Sequence, residues 1–528
     1  MLKNKKIVGV FIFILFIFYF QYSVTIAWDS ADYMNYVNIF EGNQPWSSWN
    51  IVRGSIFPLI IFVGNFIFGK SSQGITVMTF IFYLFTLFFY FKIVEDFMLY
   101  NLNIKQKKKN IIECIFIVFT VLNPIIFGYF HCLLTEFVGI NISIISCYFA
   151  YKWLNSNFFE TRKKYILFSL YFIIMIPISW HLKQPYVSCA LFAFFITYLI
   201  SVFENKKIKS IIVRTITLFS CILMLFISIK IWNLFLKKIN VDPSEDRNPT
   251  VILSTQVLNG TDIVRIKDSN DIKNLELYIK KTKLNKEEKK AIRNYWSKGK
   301  RFFILNTYED GKIINSDYVY NKGHRISFLT SISYVLKTFI DHPILLSSSY
   351  ASNYLATINV YRTEPYMGGY RNTHVFDLKY SNEISSLGYR PYNYNKTSNI
   401  LNLTPELYQN VKYYEQVNNS CPLVNSLMKF LTEIYSIIYK GLFVLLPFSL
   451  LFTIIWRIIE KNQKLKIKLN LCIILFGFSF LHVFLHVFLG ALIDRYTVPA
   501  ILTNFMGMFC FLFCIILKYS KKINLGEI

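Results

Sequence analysis

The sequence predicts an all-α polytopic membrane protein with about ten transmembrane helices and a large mixed insert outside the membrane. Three observations carry this. First, 54% of the 528 residues are hydrophobic and only 17% are charged, against about 25% charged in a soluble chain. The 52 Phe and 36 Tyr are more apolar surface than a soluble monomer hides, and mean hydropathy is +0.38. Second, ten apolar runs have the length of about 17 to 25 residues that spans a bilayer. They are roughly 7–26, 74–93, 111–128, 135–153, 165–181, 185–203, 211–231, 433–456, 469–489 and 497–517. Third, short basic clusters sit at alternate connections: Lys3 to Lys6, Lys105 to Lys109, Arg162 to Lys164, Lys206 to Lys209, Arg457 to Lys468 and Lys518 to Lys522.

The same numbers exclude disorder, a collagen-like chain and a disulfide scaffold. The net charge of +26 would suit nucleic acid, but its clustering at alternate connections points to a membrane, and no nucleic-acid partner is expected. The positive-inside rule then puts both termini in the cytoplasm. The first run lacks a small-residue cleavage site, so it counts as a helix and not a signal peptide. The nine Cys fall mostly inside apolar runs and form no CxxC pair, which leaves them as small hydrophobes. Richness in Lys, Asn, Ile, Phe and Tyr suits an AT-rich bacterial genome, so the plasma membrane is the expected location.

Three regions follow: an N-terminal membrane module over 1–231, with a first outer loop at 27–73; an insert over 232–432; and C-terminal membrane helices over 433–528. The insert holds 18 of the 31 acidic residues. Carboxylates are scarce elsewhere because an ionised one in hydrocarbon is costly. Within the insert, 284–303 has the charge pairing of a helix. Residues 326–360 have the pattern of two amphipathic helices broken at His342-Pro343, expected along the outer leaflet or over loop 27–73.

The residues able to carry chemistry lie in the outer loops. Asp29 and Asp32 are three apart directly after the first run, so they share a face if the loop opens with a helical turn. Either one could instead cap that turn. Glu136 opens the fourth run and either meets a helix N-terminus or faces a cavity. His131 precedes it. Lys183, in the connection 180–185, either snorkels to headgroups or contacts a phosphate. Asp494 and Arg495 either neutralise each other or leave Arg495 to grip a phosphate. His482 and His486, four apart, have the spacing of two metal ligands or of two polar groups turned into a bundle. Acid, base and cation would converge where a lipid-linked phosphate substrate shows its head group.

Five short stretches, in order, resemble the GT-C superfamily of membrane glycosyltransferases, and most closely its protein mannosyltransferase-like and aminoarabinose-transferase-like branch. Asp29-Ser-Ala-Asp-Tyr33 resembles that family's Asp-Glu-x-x-Tyr. Arg53 to Pro58 is similar to its Arg-Pro-Pro-Gly-Tyr-Pro, keeping the Arg and the final Pro. Asn123-Pro124 through Thr135-Glu136 resembles its second outer loop. Lys183-Gln184-Pro185 is similar to its basic residue before the sixth span, and Arg495-Tyr496-Thr497-Val498-Pro499 to its Arg-Tyr-x-x-Pro. Ser30 stands where the family has Glu, so a site needing two acids would have to use Asp32.

The resemblance implies inverting transfer of a sugar from a polyprenyl-phosphate donor to a lipid, glycan or protein acceptor. Asp29, with Asp32 as substitute, would be the general base. Glu136 would orient it or the acceptor. Tyr33, Arg53, His131, Lys183, Arg495 and Tyr496 would bind substrate. No cofactor is required, although a divalent metal could join the acids. Two competing functions use the same location: a glycan polymerase or ligase taking lipid-linked sugars, and a lipid-linked oligosaccharide flippase or other transporter.

Overall fold

The computed structural model of the protein describes residues 15–22, 28–49, 54–99, 123–155, 162–204, 208–241, 343–358, 421–488 and 494–523, with short pieces at 24, 307–309, 312–314, 336, 339 and 340. The described helices are α1 (Trp28–Phe40), α2 (Ile56–Phe68), α3 (Ser72–Leu99), α4 (Pro124–Phe130), α5 (Glu136–Asn155), α6 (Arg162–Leu182), α7 (Val187–Phe203), α8 (Ile208–Lys238), α9 (Pro343–Thr357), α10 (Pro422–Ile459), α11 (Gln463–Phe488) and α12 (Ile501–Ile523). Inside the insert, Thr307–Glu309 pairs antiparallel with Lys312–Ile314.

Eight of these helices (α3, α5, α6, α7, α8, α10, α11 and α12) are long and apolar enough to cross a membrane, and each overlaps a run expected from the sequence. The other two expected runs, 7–26 and 111–128, lie mostly outside the described residues, where only 15–19 and α4 are helical. Two helices are longer than their apolar runs. α8 continues to Lys238 and α10 begins at Pro422, so the connection between them is 239–421 and not 232–432. The 38 residues of α10 span about 57 Å at 1.5 Å each, nearly twice the ~30 Å hydrocarbon core. Its early turns carry an apolar stripe at helical spacing, Leu423, Leu427, Phe430, Ile434 and Ile437, all exposed.

Local chemistry sets several helix limits. Asn123 accepts a hydrogen bond from the Ile126 N–H at 3.2 Å with Pro124 behind it, an N-cap followed by proline at the first helical position. α1 ends in a Schellman motif: the Gly42 N–H reaches the Ile39 carbonyl and the Asn43 N–H reaches the Asn38 carbonyl. Gly42 takes φ +78° there, which glycine adopts without penalty.

The two ends of the bundle differ. One end carries the basic clusters of the described residues, at Arg162–Lys164, Arg457–Lys468 and Lys518. There Lys152 pairs with Asp96 at 2.5 Å, Arg457 joins Glu204 and Asn470, and Glu460 accepts from the Trp456 indole at 2.9 Å and meets Lys518 at 3.3 Å. Burial alone would raise the Glu460 carboxyl, but the Asn462 N–H, Trp456 and Lys518 outweigh it and hold the group below its ordinary value. These contacts fasten α3 to α5, α7 to α10 and α11, and α10 to α12. The opposite end, the site end, carries the other connections.

The insert meets the bundle through α9. Tyr350 lies on Phe484 and Phe488, and Tyr354 on Phe480, so α9 runs down α11 from the site end. The expectation for 326–360 was the outer leaflet or loop 27–73; the described contacts of α9 are with α11, α10 and the turn Asp494–Ala500. The reason is a proline. Pro447 inside α10 has no N–H to give the carbonyl four residues earlier, which is that of Phe443. The Tyr354 hydroxyl donates to that carbonyl at 2.7 Å. A bare carbonyl among apolar groups costs several kcal/mol, so the kink creates an acceptor and the insert fills it.

Candidate functional site

Glu136 is the first residue of α5 and has no solvent exposure. A carboxylate at a helix N-terminus is favoured by the peptide dipoles. That alone does not offset complete burial, and the rest comes from Lys183, whose Nζ lies 3.5 Å from Glu136 Oε1 with the lysine side chain 11% exposed. This is longer than the ~2.8 Å of a tight charge-assisted bond, and the Thr135 hydroxyl approaches the other carboxylate oxygen at 3.4 Å. Glu136 thus stands at a helix N-terminus, one of the two sequence alternatives, and is buried beside Lys183.

The ion pair lies below the tip of the bundle. Lys152 pairs with Asp96, so Glu136, sixteen residues back along α5, is level with about residue 80 of α3. α3 begins at Ser72, roughly 12 Å further out at 1.5 Å per residue. The Asn141 amide bonds the Phe82 carbonyl at 2.9 Å, which agrees with that level. The α2–α3 hairpin thus rises above the ion pair.

Lys183 is placed by the turn that follows α6. It precedes the 3-10 turn Gln184–Tyr186 in extended conformation, and the Tyr186 N–H closes on the Lys183 carbonyl at 2.8 Å. The ammonium lies 5.4 Å from the Tyr186 ring centroid. Gly139, one turn into α5, gives that ring its space: a Cβ there would come within 3.0 Å of Tyr186 and 3.1 Å of Pro499. His482 and His486 of α11 complete this wall, their rings 4.9 Å apart and nearly perpendicular. The Lys183 charge acts on His486. Among the described residues no three His, Cys, Asp or Glu side chains come together to hold a metal ion.

Loop 27–73 reaches the same place. The Ser30 hydroxyl donates to the Leu133 carbonyl at 2.7 Å, tying the start of α1 to the turn just before Glu136. Asp29 and Asp32 are backbone positions on either side of Ser30 in α1; their side chains lie outside the described set. Tyr33 is buried, with its ring 4.7 Å from Phe57, which in turn lies 5.8 Å from Phe137. Arg53 lies outside the described residues, but Gly54 beside it is described. A Cβ on Gly54 would stand 1.8 Å from the His181 carbonyl oxygen, so loop one lies directly on the backbone two residues before Lys183. Gly54→Ala should therefore push loop one off this turn. The expected result is loss of activity with the helices intact, seen as wild-type circular dichroism and a new protease cut within 41–56; unchanged cleavage and activity would refute the contact.

Arg495 and Tyr496 belong to the 3-10 turn Asp494–Ala500, and their side chains also lie outside the described set. The turn is wedged between α5 and α11: Ser143 donates to the Pro499 carbonyl at 2.8 Å, and Ser479 to the Ala500 carbonyl at 3.4 Å. Its backbone is thus about two turns of α5 from Glu136.

His131 has a different setting. It is fully buried, its ring 4.1 Å from Phe127 and 4.0 Å from Tyr19. Its two ring nitrogens face the carbonyls of Phe127 at 2.9 Å and Tyr19 at 3.1 Å. Burial pushes the imidazole down, to about 4, against the two carbonyls, which favour the protonated ring. Both nitrogens are taken up by backbone carbonyls and neither faces a substrate, so the ring serves here as packing between α4 and the chain at residue 19.

Comparisons with protein families, with curated proteins and with solved structures find no match to this chain.

Proposed function

We propose that the chain is an integral membrane glycosyltransferase that moves a sugar from a polyprenyl-phosphate donor to a lipid, glycan or protein acceptor at the outer face of the plasma membrane. The observation that supports it best is the Lys183–Glu136 pair, 3.5 Å apart, on which loop 27–73 and the turn Asp494–Ala500 both converge. In this reading a lipid tail stays in hydrocarbon while its phosphate head meets the pair.

In this reading the acceptor oxygen attacks the anomeric carbon from the face opposite the phosphate. The C–O bond to the phosphate breaks and its electron pair leaves on the phosphate oxygen, which inverts the configuration. Asp29 takes the acceptor's proton, help worth about 10²–10⁴-fold. Lys183 and Arg495 offset the charge arriving on the phosphate. The leaving group is already a stable anion, so no strong acid is needed. Glu136 keeps Lys183 in place until the donor enters, and an ammonium with three donors can then serve both anions.

The direct test is a lipid extract from cells lacking the protein. A polyprenyl-phosphate sugar should accumulate, and purified protein in vesicles should discharge it with inverted stereochemistry. An unchanged lipid profile with no discharge in vesicles would count against the assignment.

A further inference from the structure

The Ser188 hydroxyl lies 2.6 Å from the Pro185 carbonyl oxygen and 2.7 Å from His482 Nδ1. A serine hydroxyl has one proton to give. If it went to the histidine, two bare oxygens would face each other at 2.6 Å. The proton therefore goes to the Pro185 carbonyl, which can only accept, and the His482 Nδ1–H donates to the serine oxygen. The bond fixes the His482 tautomer: Nδ1 carries the hydrogen and, in the neutral ring, Nε2 is bare. The ring itself is fully buried and stacked 5.6 Å from Phe478.

The consequence is a strap across two helices. Pro185 is the middle residue of the turn Gln184–Tyr186, and that turn sets Lys183 through the Tyr186 N–H and places the Tyr186 ring beside the ammonium. We propose that His482 and Ser188 are positioning residues: they hold the Gln184–Tyr186 turn against α11 so that Lys183 stays in reach of both Glu136 and an entering phosphate. This rests on the glycosyl-transfer reading for its activity, though not for its geometry.

The experiment compares Ser188→Ala, His482→Phe and His482→Asn in the full-length protein in vesicles. The side-chain amide of Asn can donate from nearly the position of Nδ1, whereas Phe cannot. Ser188→Ala and His482→Phe should each reduce transfer from a polyprenyl-phosphate sugar by about 10- to 10²-fold, the size of a displacement near 1 Å, with KM for the donor raised. His482→Asn should keep most of the activity. The double variant Ser188→Ala/His482→Phe should lose no more than either single one, because both break the same strap. Nitrogen-15 NMR of histidine-labelled protein should show His482 as the neutral Nδ1–H tautomer. An Nε2–H tautomer, multiplicative losses in the double variant, or equal damage from Asn and Phe would each overturn the strap. If the wild-type protein transfers nothing, the glycosyl-transfer reading fails, and the nitrogen shifts still decide the geometry.

Discussion

Lys183→Met should destabilise the folded protein by about 3–5 kcal/mol, because it removes the cation that offsets a buried carboxylate. Glu136 has no exposure, while Lys183 keeps 11%. The carboxylate has no route to water, whereas the lysine has a partial one along its flexible stem. Glu136→Gln should therefore cost less than Lys183→Met. The double variant Glu136→Gln/Lys183→Met removes both charges and should recover most of the loss, since a buried pair replaced as a unit is often neutral. Activity should behave differently: the double variant stays inactive, because the group that meets the phosphate is gone. Unfolding in detergent, monitored for all four proteins, gives the coupling. Additive single losses would mean that the two side chains do not sense each other, and the pair would then not be an electrostatic unit.

Much of the bundle was legible in the sequence for a simple reason. An apolar run of helical length has few alternatives in a membrane, since every backbone group must find its partner within the segment. The eight described spanning helices follow those runs. The exceptions have local causes. α10 starts at Pro422, eleven residues before its expected start at 433, because residues 422–432 form an amphipathic helix and only the later turns are uniformly apolar. α9 lies on α10 and α11 because Pro447 strands the Phe443 carbonyl, and the sequence announces the proline but not which hydroxyl will answer it.

The site was legible as a set of residue types at one end of the bundle, not as a set of contacts. Glu136 and Lys183 were each left between two roles, and their pairing is decided by a turn that the sequence marks only as Gln-Pro-Tyr. His131 read as either an interfacial histidine or a ligand, and in the structure the carbonyls of Phe127 and Tyr19 occupy both its nitrogens. Gly54 carried no signal beyond being glycine, and its need for close approach to His181 shows only in three dimensions. Ser30 departed from the resemblance, and the structure gives that departure a use, since its short hydroxyl reaches Leu133.

That anchor bears on the choice between the two candidate bases. α1 is helical from Trp28, so successive positions differ by about 100° around its axis. Ser30 and Tyr33 define the face turned toward Leu133 and Phe57. Position 29 is about 40° from position 33 on that helix and position 32 about 100°, so position 29 is nearer the face that meets the Glu136 turn. Asp29→Asn keeps the shape and removes the basic oxygen. If Asp29 accepts the acceptor's proton, transfer should fall by about 10²-fold or more, with protein level and affinity for the lipid-linked donor nearly unchanged. Asp32→Asn should cost far less. The comparison must be made at saturating donor, so that a change in binding does not pass for a change in chemistry. Equal and mild losses in the two variants would make these residues caps of α1, while a large loss at Asp32 alone would move the base to the face of α1 that Ser30 and Tyr33 leave free.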